Sequence, residues 1–229
     1  MVIRFLVDGW VQNGRKGFLS FLFKLNLIKK SMNNQIKWSI DQAHTEIGFK
    51  VRHLMISNVK GMFKTFDGSI YTIGKDFTRI EIDFWIDPSS ILTGDLKRDK
   101  HLKSADFFDV ETYKQIIFTS STIGEADHHG IHELWGELTM VGVTKNIKLA
   151  VEFGGIINDP WGSEKAGFTL TGKINRSDWG LVWNTAIETG GVMVADEISI
   201  LCEVELTNMG FRDLKMEIEE TNNEVLNTT

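Results

Sequence analysis

Apolar and polar residues alternate along most of this chain, from Trp38 to Leu206. The stretch from Arg79 to Asp87 shows the pattern most cleanly. Ile80, Ile82, Phe84 and Ile86 fall on one side, and Arg79, Glu81, Asp83 and Asp87 on the other, with Trp85 as the apolar exception. A period of two predicts a strand with one buried and one wet face. Similar patterns predict strands at 36–41, 44–54, 57–73, 78–87, 115–124, 131–140, 144–157, 166–175 and 196–207. Gly61 and Gly68 lie inside the longest, where glycine marks a bend that would let the strand curl. Between 89 and 114 the alternation stops. Asp95, Arg98, Asp99 and Lys103 recur at helical spacing with Leu96 and Leu102 as inner residues, which predicts one or two short helices capping the sheet. So many strands must stack or close to hide their apolar faces, and closure would create a lumen.

The two ends differ from this body. Residues 1–34 are an extension in which Lys and Arg flank the Phe/Leu-rich run from Gly17 to Ile28. The run is too short to span a bilayer, which takes about 20 apolar residues. Lys24 and Asn26 interrupt it, and no small-residue cleavage site follows, unlike an ordinary signal peptide. An interfacial helix, a start of translation at Met32 and an atypical signal all remain open. Residues 35–207 form one all-β domain, and 208–229 an acidic, flexible tail.

Composition narrows the function classes. The net charge is −6, with no basic stripe interleaved with aromatics, which argues against nucleic acid. The one cysteine, Cys202, excludes an intrachain disulfide. It shares its strand phase with Ile198, Ile200, Val204 and Leu206 and reads as a small buried hydrophobe. Seven tryptophans and fifteen phenylalanines supply bulk for a core or a pocket. His128, His129 and His132 cluster at a hairpin tip, but adjacent residues of an extended strand face apart, and the spacing matches no familiar zinc pattern. Arg98 and Asp99, one step apart on a helix, are expected to face different ways and to serve structure, pairing with Arg176 or Asp178 or capping helix ends. His44 and His53 read as rim histidines. No nucleophile elbow or phosphate loop is visible, so the chain is not read as an enzyme.

Several motifs together resemble one family. Trp38 to Phe49 with Val51 and His53, then Val59, Gly61 and Phe63, form the first. Arg98, Asp99, His101, Leu102, Lys103 and Ser104 precede Asp106 to Asp109. Gly136, Leu138, Thr139 and Gly142 to Thr144 follow, and Asn175 to Gly180 close the set. In this order and spacing they resemble the YceI-like proteins over about 35–207. The resemblance implies a lipocalin-like antiparallel β-barrel of about eight strands with a short helical insertion, holding an isoprenoid or other long apolar chain. Expected lumen residues are Phe49, Val51, Phe63, Ile82, Phe84, Phe118, Leu138, Phe168, Leu170 and Ile200, although a barrel can also fill its lumen with such side chains. Arg98, Asp99, His101, Arg176 and Asp178 are expected at the barrel end, near a ligand head group. The expected partner is an apolar small molecule such as a polyisoprenoid, an isoprenoid quinone or a fatty acyl amide. No other cofactor and no metal are expected. A homodimer and membrane contact through residues 1–31 stay open. The expected compartment is cytoplasmic, with periplasmic or membrane-associated alternatives. Rival readings are a solid barrel acting as an interaction or stress-related protein, and a metal-dependent enzyme.

Overall fold

The computed structural model describes residues 35–185 and 192–209; the expectations for 1–34 and for the tail beyond 209 lie outside the described residues. The strands are β1 (Gln35–Ile40), β2 (Glu46–His53), β3 (Ser57–Phe63), β4 (Phe66–Ile73), β5 (Asp76–Ile86), β6 (Ile91–Leu92), β7 (Ile116–Ile123), β8 (Ile131–Met140), β9 (Val143–Asn158), β10 (Glu164–Asn175) and β11 (Val194–Asn208). All pair antiparallel. Eight of them, in the order β1-β4-β5-β7-β8-β9-β10-β11, form a ring that β1 closes onto β11. Closure removes the exposed edges that an open sheet would leave.

β11 explains how three further strands attach. Its C-terminal residues Leu206 to Asn208 pair with β1, and its earlier residues Val194 to Glu203 pair with β2. β2 then carries β3, and β3 carries β6. The expected strand at 57–73 is therefore two strands, and the break lies at Lys64 and Thr65 rather than at Gly61 or Gly68. The reason is a shared corner. β1 turns into β2 at 41–45, β3 into β4 at 64–65, and β5 into β6 through a 3-10 turn at Pro88–Ser90. Ser90 Oγ accepts from the Lys64 and Thr65 N–H groups at 3.1 and 3.0 Å, Asp87 N–H donates to Thr65 O at 2.9 Å, and Gln42 Nε2 donates to Phe66 O at 3.0 Å. Backbone groups that leave the ladder at the corner thus find new partners.

The helical insertion contains one α-helix, α1 (Leu96–Lys103). Asp95 caps it, accepting from the Lys97 and Arg98 N–H groups at 2.9 Å each. The expectation that Leu96 and Leu102 share an inner face fails for Leu96, which is 85% exposed. Six residues at about 100° each put the two on different faces. Asp99, three before Leu102, is the buried residue on that side.

The two barrel ends differ. At the terminal end lie the start of β1, the end of β11, the β4–β5 turn and the β7–β8 and β9–β10 hairpins. Lys75 and Asn208 both bond Glu164 there. At the helical end lie α1, the β2–β3 turn and a 3-10 turn at Arg176–Trp179. Two fully buried tryptophans anchor the walls: Trp38 Nε1 donates to Thr72 Oγ1 at 2.9 Å, and Trp179 Nε1 to Leu138 O at 3.0 Å.

Candidate functional site

The inward faces of the strands surround a cavity of about 290 Å³. In β5 the inward residues are Ile80, Ile82, Phe84 and Ile86, and Asp83 is exposed. The alternation of that strand alone dictates this phase, because a one-residue slip would turn Arg79, Glu81 and Asp83 inward. Phe49 and Val51 enter from β2, Phe63 from β3, Phe118 from β7, Leu138 from β8, Phe168 and Leu170 from β10, and Ile200 from β11. All ten residues expected in the lumen thus lie on its wall. The β10 wall from Phe168 to Ile174 runs about 20 Å at about 3.3 Å per residue.

Three glycines keep this lumen hollow. Phe49 pairs with Gly61 across β2 and β3, and Phe84 with Gly68 across β4 and β5. Phe118 lies over Gly136, next but one to its partner Leu138. A Cβ at Gly61 or Gly136 would collide with the Phe49 or Phe118 ring, and one at Gly68 would sit 3.1 Å from Phe84 Cδ2. The missing side chains let the rings lie against the wall instead of projecting to the axis. At the terminal end Phe77, Phe153 and Phe168 gather with ring centroids 4.9 to 5.5 Å apart. At the helical end Leu102, Phe107, Phe108 and Leu181 complete the wall. Leu102 comes from α1, while Phe107, Phe108 and Leu181 sit in irregular segments, where no period marks an inward side. Ile70, Ile147 and Leu149 also line it, and the alternation of β4 and β9 carries their signal.

Of the five polar residues expected at the barrel end, Arg176 alone reaches the cavity. It is 6% exposed, and its guanidinium donates to the carbonyls of Leu181, Trp183 (2.9 Å) and Ala195 (3.1 Å). Burial pulls its pKa below the usual arginine value, opposed by the Asp196 carboxylate; it remains a cation. Arg98 and Asp99 spend their bonds elsewhere. Arg98 Nε donates to Thr93 Oγ1 at 2.7 Å, and that hydroxyl donates to Asp99 Oδ1 at 2.5 Å. The expectation that helix neighbours could not meet at one atom is thereby corrected: Thr93 precedes the helix and lies at its open end, where both side chains can fold back. His101 Nε2 sits 2.9 Å from Asp106 Oδ2 and edge-on to Trp183. Asp178 faces the outer surface beside Lys50 and Lys145.

The other candidates divide clearly. Burial pushes the Cys202 thiol up to about 11, so it is protonated and a poor nucleophile at neutral pH. His132 Nδ1 lies 2.8 Å from Gly124 O, and the Asp127 carboxylate holds the tip through the His129 and Ile131 N–H groups. Sequence reasoning missed one cluster at the corner, because Lys165 and Glu205 lie far along the chain from Asp41 and His44. Ligand atoms of Asp41, His44 and Glu205 lie within 4.8 Å of one another. Lys165 Nζ occupies the place a cation would take, 2.5 Å from Asp41 Oδ2 and 3.3 Å from Glu205 Oε1. Burial alone would raise the Asp41 carboxyl. Hydrogen bonds from Lys165, His44 and the Ala43 N–H outweigh it and hold the group well below the usual carboxylate range.

Comparison with known proteins agrees with this architecture. The model of the YceI-like domain family matches residues 38–206. UPF0312 protein SAS2572 of Staphylococcus aureus (strain MSSA476) is 36% identical over 171 residues, 74% of this chain and 96% of its own length. The crystal structure of the Campylobacter jejuni YCEI protein is 38% identical, covering 73% of this chain and 95% of that one with a TM-score of 0.56. A polyisoprenoid binding domain from Saccharophagus degradans shares the fold at 15% identity, covering 75% and 98% with a TM-score of 0.53.

Proposed function

The chain belongs to the YceI-like family, and on that premise we propose that it binds one long apolar molecule in its lumen and carries or sequesters it without making or breaking bonds. The observation that carries this reading is a hollow, almost wholly apolar barrel interior whose rings lie against cross-strand glycines. The ligand class is a polyisoprenoid, an isoprenoid quinone or a fatty acyl amide. A neighbour of the same fold is a polyisoprenoid binding domain, which makes polyprenyl chains the first to try. The wall that meets the hydrocarbon includes Phe49, Val51, Phe63, Ile82, Phe84, Phe118, Leu138, Phe168, Leu170 and Ile200.

The energetics suit such a ligand. About 20 buried carbons, four isoprene units, gain roughly 16 kcal/mol at about 0.8 each. Association and ordering cost roughly 8 of these, which leaves about micromolar affinity. The wall selects by length and girth rather than by polar contacts. A polar head group belongs at the helical end, where Arg176 supplies the positive charge on the wall. Arg98, Asp99 and His101 act there by ordering α1 and the neighbouring loops, and Asp178 stays on the outer surface.

Native mass spectrometry of gently purified protein, followed by titration with a polyprenyl quinone, tests the reading. A co-purified lipid, or saturable quenching of tryptophan fluorescence, supports it. An empty spectrum together with no response to polyprenyl or acyl chains overturns it in favour of a filled barrel.

A further inference from the structure

The tip of the β2–β3 hairpin plays no part in enclosing a ligand, yet its composition is unusual. Leu54 and Met55 form the turn with φ of 49° and 60°, and Ile56 N–H donates to His53 O at 3.2 Å. Positive φ at both central positions is the geometry that Asn-Gly adopts with least strain. Leucine and methionine are strained there, and burial, which is partial at Leu54, does not select Met55. Met55 is 56% exposed and Ile56 80%. Met193 ties this tip to a second apolar stretch. Its carbonyl accepts from Leu54 N–H at 2.8 Å, and its own N–H donates to Thr185 O at 3.0 Å. Val182 and Val192, on either side of that junction, are 68% and 40% exposed.

Charge supplies the second observation. From Ile47 to Phe66 the hairpin carries Lys50, Arg52, Lys60 and Lys64 and no Asp or Glu, in a chain of net charge −6. Arg52, Lys60 and Lys64 are exposed. The ion pairs among the described residues lie elsewhere, at Lys75, Lys114, Lys148, Lys165, Lys173, His44 and His101. Among the described residues, the small apolar tip is thus backed by Arg52 and Lys60, which are exposed and form no ion pair with a carboxylate.

We propose that this hairpin docks on an anionic lipid surface, with Met55 and Ile56 entering the headgroup layer and Arg52 and Lys60 meeting lipid anions. A protein partner fits less well, because a specific interface takes about 800 Å² per side, far more than a few tip residues offer. A lipid surface needs only a shallow apolar insertion and a basic ring, each contributing separately. Val51 and Val194, just below the tip, line the cavity. A docked hairpin therefore brings the helical end of the lumen to the bilayer. That consequence rests on the lumen-binding reading, and the docking itself does not.

Flotation of the full chain with phosphatidylcholine vesicles, with and without phosphatidylglycerol, tests this. Binding should require the anionic lipid and weaken in high salt. The combined Leu54→Asn, Met55→Gly and Ile56→Ser variant relieves the strained turn, so its melting temperature should hold or rise. Its binding should fall about tenfold or more, as the inserting Met55 and Ile56 side chains are lost together with Leu54. Arg52→Glu with Lys60→Glu should lose the preference for anionic vesicles while melting as the parent does. Vesicle binding by the tip variant at parental strength would overturn the proposal. So would equal binding to both vesicle types, or a tip-dependent change of oligomeric state without vesicles. An empty lumen with intact vesicle binding would sink the carrier reading and leave the docking standing.

Discussion

At Gly61 a single hydrogen decides where a phenyl ring goes. The atoms nearest a Cβ there are the far edge of the Phe49 ring and Thr93 Cγ2, all of them side-chain atoms. Gly61→Ala should therefore leave the backbone in place and push the Phe49 ring off the wall toward the axis. The expected cost is about 1–3 kcal/mol of stability, the usual range for overpacking. Ligand uptake should fall more than stability does, and the loss should be greatest for the bulkiest chains. Denaturant melts and quenching titrations of the same preparations separate the two effects. At Gly68 the nearest groups include Asp83 O at 2.7 Å and Phe84 Cα at 3.0 Å, which are backbone and cannot swing away. The same substitution there is expected to destabilise more strongly. None of this is legible in the sequence, where Gly61 and Gly68 look like bends and Gly136 is only a motif position; their meaning depends on which ring the neighbouring strand sets over them.

Among the elements, β5 was the most legible, because its alternation fixes both its state and its phase. The structure places Phe84 on the lumen wall between Gly68 and Phe118 and leaves Asp83 exposed. Phe84→Asp should unfold the domain or abolish uptake, since an unpaired buried charge costs several kcal/mol. Asp83→Lys should change stability by less than about 0.5 kcal/mol. Phe84→Ala removes a ring that faces a lumen, so its cost should fall at or below the roughly 3–5 kcal/mol of a filled core. It should also shift the preferred chain length upward. Melting and uptake of the three variants distinguish a hollow from a solid barrel. The 57–73 segment was less legible. Its alternation runs on past Lys64, and only the contacts to Ser90 and Asp87 split it. α1 was legible from its spacing, but eight residues are too few to fix an inner face, and the Asp95 cap was seen only in the structure.

On the scale of the whole molecule, the barrel closes where β1 meets β11, and the Asp41–Lys165–Glu205 cluster sits beside that seam. The Lys165 pKa is raised, chiefly by its hydrogen bond to Asp41, and the Asp41 carboxyl is depressed. A depressed carboxylate contributes stability that is full above its unfolded value near 3.9 and is lost as pH falls below it. The raised lysine contributes stability that persists below about 10.4 and is lost as pH climbs through its folded value. Lys165→Met should therefore cost about 1–3 kcal/mol at neutral pH. The gap to the parent should narrow as pH falls below about 3.9, because Asp41 without Lys165 takes up its proton at a higher pH than the parent's depressed carboxylate does. Denaturant melts at both pH values check this, and a gap that widens in acid would contradict it. The alternating pattern by itself determined that the chain is all-β, which side of each regular strand is buried, and that the helical insertion interrupts one stretch. Those properties follow from a period of two read against solvent, which is local. Tertiary structure alone decided the split at the corner, the turning of Arg98 and Asp99 onto one hydroxyl, and the choice of Arg176 as the cation on the wall. It also decided that the inward side chains leave a cavity of about 290 Å³ between them. Each of these depends on which distant residues meet, such as a ring and a glycine on neighbouring strands, and alternation is blind to that distance.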